Sequence, residues 1–61
     1  MREHDVIRLL EPVDGWPAGA EGAIVAPPKP DVLLVEFGAE TGKPELVVVP
    51  VGSVQITHSA A

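Results

Sequence analysis

The chain reads as an all-β fold, a small barrel of five short strands with a 3₁₀ turn before the last one. Three observations predict it. Ten valines and three isoleucines stand against five leucines, and β-branched side chains lose rotamer freedom on a helix while packing well on a pleated surface. Seven prolines and six glycines, all potential helix breakers, interrupt the 61 residues, and the one helix candidate, Arg2–Glu11, has weak apolar periodicity and is bounded by Pro12. The apolar-rich segments between these breakers are four to six residues long, the length of strands.

The first strand is expected over Asp5–Leu10, with Ile7 and Leu9 inward and Arg8 in water. A long turn-rich stretch follows from Glu11 to Gly22, in which Asp14-Gly15 is a strong turn signal because glycine accepts positive φ without steric cost. Ala23–Ala26 reads as the second strand, closed by Pro27-Pro28-Lys29-Pro30, a stiff tip that cannot lie in a central strand. The third is Val32–Phe37, ended by Gly38. Residues 39–44 form a hairpin loop, and Glu45–Val49 the fourth strand. Pro50-Val51-Gly52-Ser53 suits a 3₁₀ turn. Val54–Thr57 is the fifth strand, with Val54 and Ile56 inward, and the domain spans residues 1–57 with a frayed tail at 58–61.

This order of elements is that of the SH3-like small barrels, and closing the sheet answers the edge problem of a short all-β chain. The strings Asp5-Val6-Ile7-Arg8-Leu9, Gly19-Ala20-Glu21-Gly22-Ala23-Ile24-Val25, Val35-Glu36-Phe37 and Val54-Gln55-Ile56 resemble a family of short stand-alone bacterial proteins, a domain of unknown function with an SH3-like barrel. That resemblance implies the fold and no catalytic residue. The Gly19-x-x-Gly22-x-x-Val25 piece is also similar to the core of KOW motifs in ribosomal and transcription proteins, which implies a nucleic-acid-binding barrel as the alternative reading.

Charge argues against that alternative. The formal net charge is −5, and Arg2, Arg8, Lys29 and Lys43 are scattered, whereas a phosphate backbone is followed by a clustered basic footprint. No stretch approaches the ~20 apolar residues of a membrane span, and the charged start, Met1–Asp5, does not read as a signal peptide. A cytoplasmic location is expected.

Catalytic chemistry finds no residue set. Cysteine is absent, and Ser53 and Ser59 lie in a turn and a tail. His4 and His58, beside the first and last strands, fall short of the three or four ligands a zinc site needs. Glu36 and Glu45 are candidates to face each other across the third and fourth strands, but read better as a solvated face. Neither an enzyme nor a cofactor is therefore expected. Thr41-Gly42-Lys43 lacks the upstream glycine and the following helix of a phosphate loop.

Apolar excess is the informative signal. If Leu33, Val35 and Phe37 fill the core, Val32 and Leu34 point outward; the fourth strand, Leu46-Val47-Val48-Val49, is apolar on both faces. The two strands form one hairpin, so the outward side chains, candidates being Val32, Leu34, Leu46 and Val48, should adjoin as an interface patch unless the long loop or the N-terminus covers them. Trp16 is a further candidate contact, although a lid over the open end of the barrel is the preferred reading of a small domain's largest apolar side chain. The sequence thus points to a non-enzymatic protein-interaction module. Its partner is either a second copy or a basic protein that this acidic chain masks, in the manner of a small regulator or antitoxin.

Overall fold

The computed structural model describes residues 1–59. Five strands, β1 (Val6–Leu9), β2 (Glu21–Ile24), β3 (Val32–Phe37), β4 (Glu45–Pro50) and β5 (Val54–His58), form one antiparallel sheet in the order β4-β3-β2-β1-β5. Among the described residues there is no α-helix; two 3₁₀ turns, Ala39–Thr41 and Val51–Ser53, precede β4 and β5. The sheet is open, since no ladder joins β4 to β5.

Alternation along the strands selects the core. Ile7, Leu9, Ile24, Leu33, Val35, Phe37, Val47, Val49 and Val54 form a single buried cluster. Among the described residues no α-helix covers them; Val13, Trp16 and Ala20 of the long loop and Val51 of the turn before β5 pack against the cluster. The molecule measures 26 × 21 × 17 Å.

Asp14-Gly15 makes the turn expected of it. Val13 and Trp16 exchange both backbone hydrogen bonds, at 2.9 and 2.8 Å, and Asp14 and Gly15 carry φ of 51° and 85°. Two successive positive φ values match the right-handed twist of a tight hairpin. The loop then returns to β1, where Leu9 N–H donates to the Ala20 carbonyl at 2.9 Å and Gly19 N–H to the Leu9 carbonyl at 2.8 Å.

That return moves β2 earlier than Ala23–Ala26. Arg8 faces Glu21 and Ile7 faces Gly22, so the strand begins within the stretch that its glycines mark as loop. Gly22 lies in the strand because nothing larger fits. A Cβ there would sit 2.7 Å from the Glu36 carbonyl oxygen and 2.8 Å from Phe37 Cδ1.

Two further expectations are corrected. Ile56 shares the face of Ile7 by register but remains 38% exposed and outside the core cluster, because it lies toward the far end of an edge strand, with a neighbouring strand on one side only. His58 is not tail: it ends β5 opposite Val6, after a register shift between Val6 and Ile7 that bulges the ladder. Of the expected tail, residues 60 and 61 lie outside the described residues.

Polar clips hold the margins. Asp5 is buried and accepts the Arg2 N–H at 2.9 Å through Oδ2, while its own carbonyl accepts the Ile24 N–H at 2.9 Å. Ser53, also buried, donates its hydroxyl to Glu11 Oε2 at 2.7 Å, and its carbonyl accepts the Leu10 N–H at 2.8 Å. These bonds join the start of the long loop to the turn before β5.

Candidate functional site

The β3–β4 hairpin carries the surface that stands out. Its register sets Val32 opposite Pro50, Leu34 opposite Val48 and Glu36 opposite Leu46. Directly opposed residues of an antiparallel pair share a face, so these three pairs form the outer face and Val35–Val47 and Leu33–Val49 the inner one. The burial agrees: Val47 and Val49 are buried, whereas Leu46 and Val48 are 59% and 61% exposed. Val32 and Leu34 are half-buried.

The hairpin therefore brings Val32, Leu34, Leu46 and Val48 onto one face, as expected, and resolves which face of β4 is outward. Leu46 and Val48 are left uncovered. A groove of about 330 Å³ borders the patch, walled by Ala26, Pro27 and Lys29 against Val32, Leu34 and Val48. The loop side of this groove is absent from the sequence reading; three prolines in four positions were the available sign that the loop is a rigid wall.

Trp16 is placed elsewhere. Its ring stacks on Phe37 at a centroid distance of 5.1 Å and an interplanar angle of 22°, and its Nε1–H donates to Glu45 Oε1 at 3.1 Å. Gly38 passes beneath it, where a Cβ would stand 3.2 Å from the indole. These contacts close one end of the core and leave the residue half-buried. Glu36 and Glu45 do not face each other: Glu36 lies opposite Leu46 on the outer face, while Glu45 lies opposite Phe37 and turns toward Trp16.

Among the described residues no group of three His, Cys, Asp or Glu side chains could hold a metal ion, and the salt bridge present is His4–Glu3 at 3.9 Å on the surface. Arg8 is engaged by Gln55 Oε1 at 3.1 Å across the β1–β5 pair. Lys29 and Lys43 lie on different loops. No helix of the described residues is long and apolar enough to cross a membrane.

The topology makes β4 an edge strand, paired with β3 on one side only. The patch is therefore not just a face but the margin of the sheet, with an unpaired main chain beside it. No protein-family model, curated protein or solved structure matches this chain, so the reading of this margin rests on its own chemistry.

Proposed function

We propose that this chain is a non-enzymatic protein-interaction module that works by presenting the outer face of the β3–β4 hairpin to another polypeptide. The observation that carries this is the exposure of Leu46 and Val48, 59% and 61%, beside the half-buried Leu34 on an edge of the sheet. Aliphatic side chains adjoining in this way are a binding surface, because leaving them wet forgoes roughly 25 cal/mol per Å² of apolar area. The partner is a second copy or a basic protein that an acidic chain of net charge −5 would attract.

We also assign the sheet to the SH3-like small barrels and the chain to the bacterial family of unknown function that its sequence resembles. The strand order β4-β3-β2-β1-β5 and the 3₁₀ turn before β5 support the barrel reading; the family reading rests on the sequence likeness alone. The competing reading, a KOW-like nucleic-acid binder, has only the glycine spacing in its favour and lacks a basic track to lie along a phosphate backbone.

Leu34→Glu tests the module. Leu34 is on β3, away from the free edge, so the substitution alters the face and leaves the edge intact. Wild-type chain immobilised on a resin should retain a protein, its own second copy included, that the variant releases. Equal retention by both, or none by either, overturns the reading. Tight, salt-weakened gel shifts with RNA or DNA would favour the alternative.

A further inference from the structure

The free margin of β4 has a hydrogen-bonding pattern that can be worked out from its neighbours. Val51 N–H donates to the Asp31 carbonyl at 3.0 Å, which makes Asp31–Val51 a hydrogen-bonded pair. Such pairs alternate along an antiparallel ladder with pairs that exchange no bond. Val32–Pro50, Leu34–Val48 and Glu36–Leu46 are then the non-bonded pairs. The Leu34 carbonyl agrees, since it accepts the Val25 N–H at 3.0 Å on the β2 side. It follows that the N–H and C=O groups of Leu46 and Val48 point away from β3, into the space beside the sheet. Pro50, the third residue of this row, has no N–H to leave unpaired, which is the position in which a strand tolerates proline.

We infer that a second copy of this chain occupies that edge, its β4 running antiparallel to the first about a two-fold axis at Val47. The inference rests on the interaction-module reading and names the partner. The segment Pro44-Glu45-Leu46-Val47-Val48-Val49-Pro50 is bracketed by prolines at equal distances from Val47. In the register centred there, Leu46 pairs with Val48 of the other copy in both directions. Every edge N–H and C=O of those residues is then matched, as a two-fold contact between identical surfaces requires. Each proline stands opposite the other copy's proline, so the ladder stops where its donors stop.

Neighbouring registers are worse. Centring on Val48 sets Leu46 against Pro50 and leaves the Leu46 carbonyl without a donor. A shift by one residue opposes inner-face to outer-face side chains. The favoured register also joins the two outer patches, with Leu34 and Val48 of one copy beside Leu46 of the other. Glu45 is the one charged residue between the prolines. The two Glu45 residues fall four positions apart along the strands, about 14 Å, beyond the Debye length of about 8 Å at physiological salt.

The area sets the strength. A six-residue edge strand is about 20 Å long and covers on the order of 300–400 Å² per copy, against about 800 Å² in a standard interface. The dimer is weak and concentration-dependent. Two chains of charge −5 repel at long range, so added salt strengthens it, whereas salt would weaken the capture of a basic partner.

Light scattering on a concentration series from about 50 µM to about 1 mM, a range chosen for an interface this small, should show the mass rising from 6.4 kDa toward twice that value, more steeply at higher salt. Val48→Pro removes an edge donor and no β3–β4 bond, so it should stay folded and monomeric throughout. An equal mixture of isotope-labelled and unlabelled wild-type chain should show an intermolecular contact between the two Val47 α-protons, which face each other as a non-bonded pair on the axis. A monomer at every concentration, or a dimer lacking the Val47 contact, overturns the edge pairing whether or not Val48→Pro folds. In the first case, Leu34-dependent retention of a different protein would leave the interaction-module reading standing. In the second, a dimer abolished by Leu34→Glu but not by Val48→Pro would mean face-to-face association.

Discussion

Gly22 offers the most direct test of how this sheet closes on its core. Replacing it with alanine adds a Cβ 2.7 Å from the Glu36 carbonyl oxygen, 2.7 Å from Val35 Cγ1 and 2.8 Å from Phe37 Cδ1. The two side-chain atoms belong to buried core residues, and the oxygen belongs to β3, which is held between β2 and β4. None of the three can swing aside, so relief requires β2 and β3 to part. Overpacking of this kind costs about 1–3 kcal/mol. The backbone φ at Gly22 is not positive, so alanine also restricts the unfolded chain and returns about 0.4–1 kcal/mol. The net loss is about 1–2 kcal/mol, a sizeable part of the ~3–9 kcal/mol that a 61-residue domain holds.

At roughly 4–8 °C per kcal/mol for a domain of this size, the midpoint of thermal unfolding followed by circular dichroism should fall by about 4–16 °C. Gly52→Ala is the matched control. It also lacks a positive φ, but its Cβ meets nothing within 4 Å, so only the unfolded-state term acts and the midpoint should rise by a few degrees. A Gly22→Ala protein that melts at or above the wild-type temperature would refute the close approach of β2 and β3.

Other substitutions probe the remaining closures. Trp16→Ala should cost about 2 kcal/mol in urea unfolding, since it removes the stack on Phe37 and the bond to Glu45; an unchanged midpoint would mean that the indole is a free contact rather than a lid. Asp5→Ala should cost about 1–3 kcal/mol by removing the bond that its buried carboxylate accepts from the Arg2 N–H, and a neutral result would show that this clip contributes nothing. Ser53→Ala should cost about 1 kcal/mol through loss of the bond to Glu11, and Glu11→Gln, which keeps an acceptor oxygen, should cost less by the same denaturation assay.

Much of the architecture was legible because short-range chemistry dictates it. Val32–Phe37 alternates so regularly that its inner face, Leu33, Val35 and Phe37, follows from period two alone, and all three are buried. Asp14-Gly15 announced a turn through the backbone freedom of its glycine, and the turn is there. The sequence pattern sets the start of β2 two residues late, at Ala23 rather than Glu21, because glycine is ordinarily a breaker. At Gly22 it marks a close approach of two strands, which no local pattern can signal. The alternation that holds for β3 also points Ile56 inward, yet Ile56 is exposed. On an edge strand, alternation tells which side a residue faces and not whether anything lies over it.

The candidate surface divides in the same way. Apolar excess marked the β3–β4 hairpin as having more aliphatic side chains than one face can bury, and Leu46 and Val48 are the ones left outside. The sequence could not choose between them and Val47 and Val49, because a run of apolar residues has no phase of its own. Register against β3 supplied it.

By itself, then, the sequence determined the class of fold, the positions of its turns and the presence of surplus apolar surface, all of which depend on side-chain shape and spacing along the chain. The tertiary structure alone decided that Trp16 closes the core, that Asp5 is buried, and that β4 lies at an open margin with Leu46 and Val48 facing outward. Each of these depends on which strands meet across long sequence separations, and there pairing geometry governs rather than the preferences of any single segment.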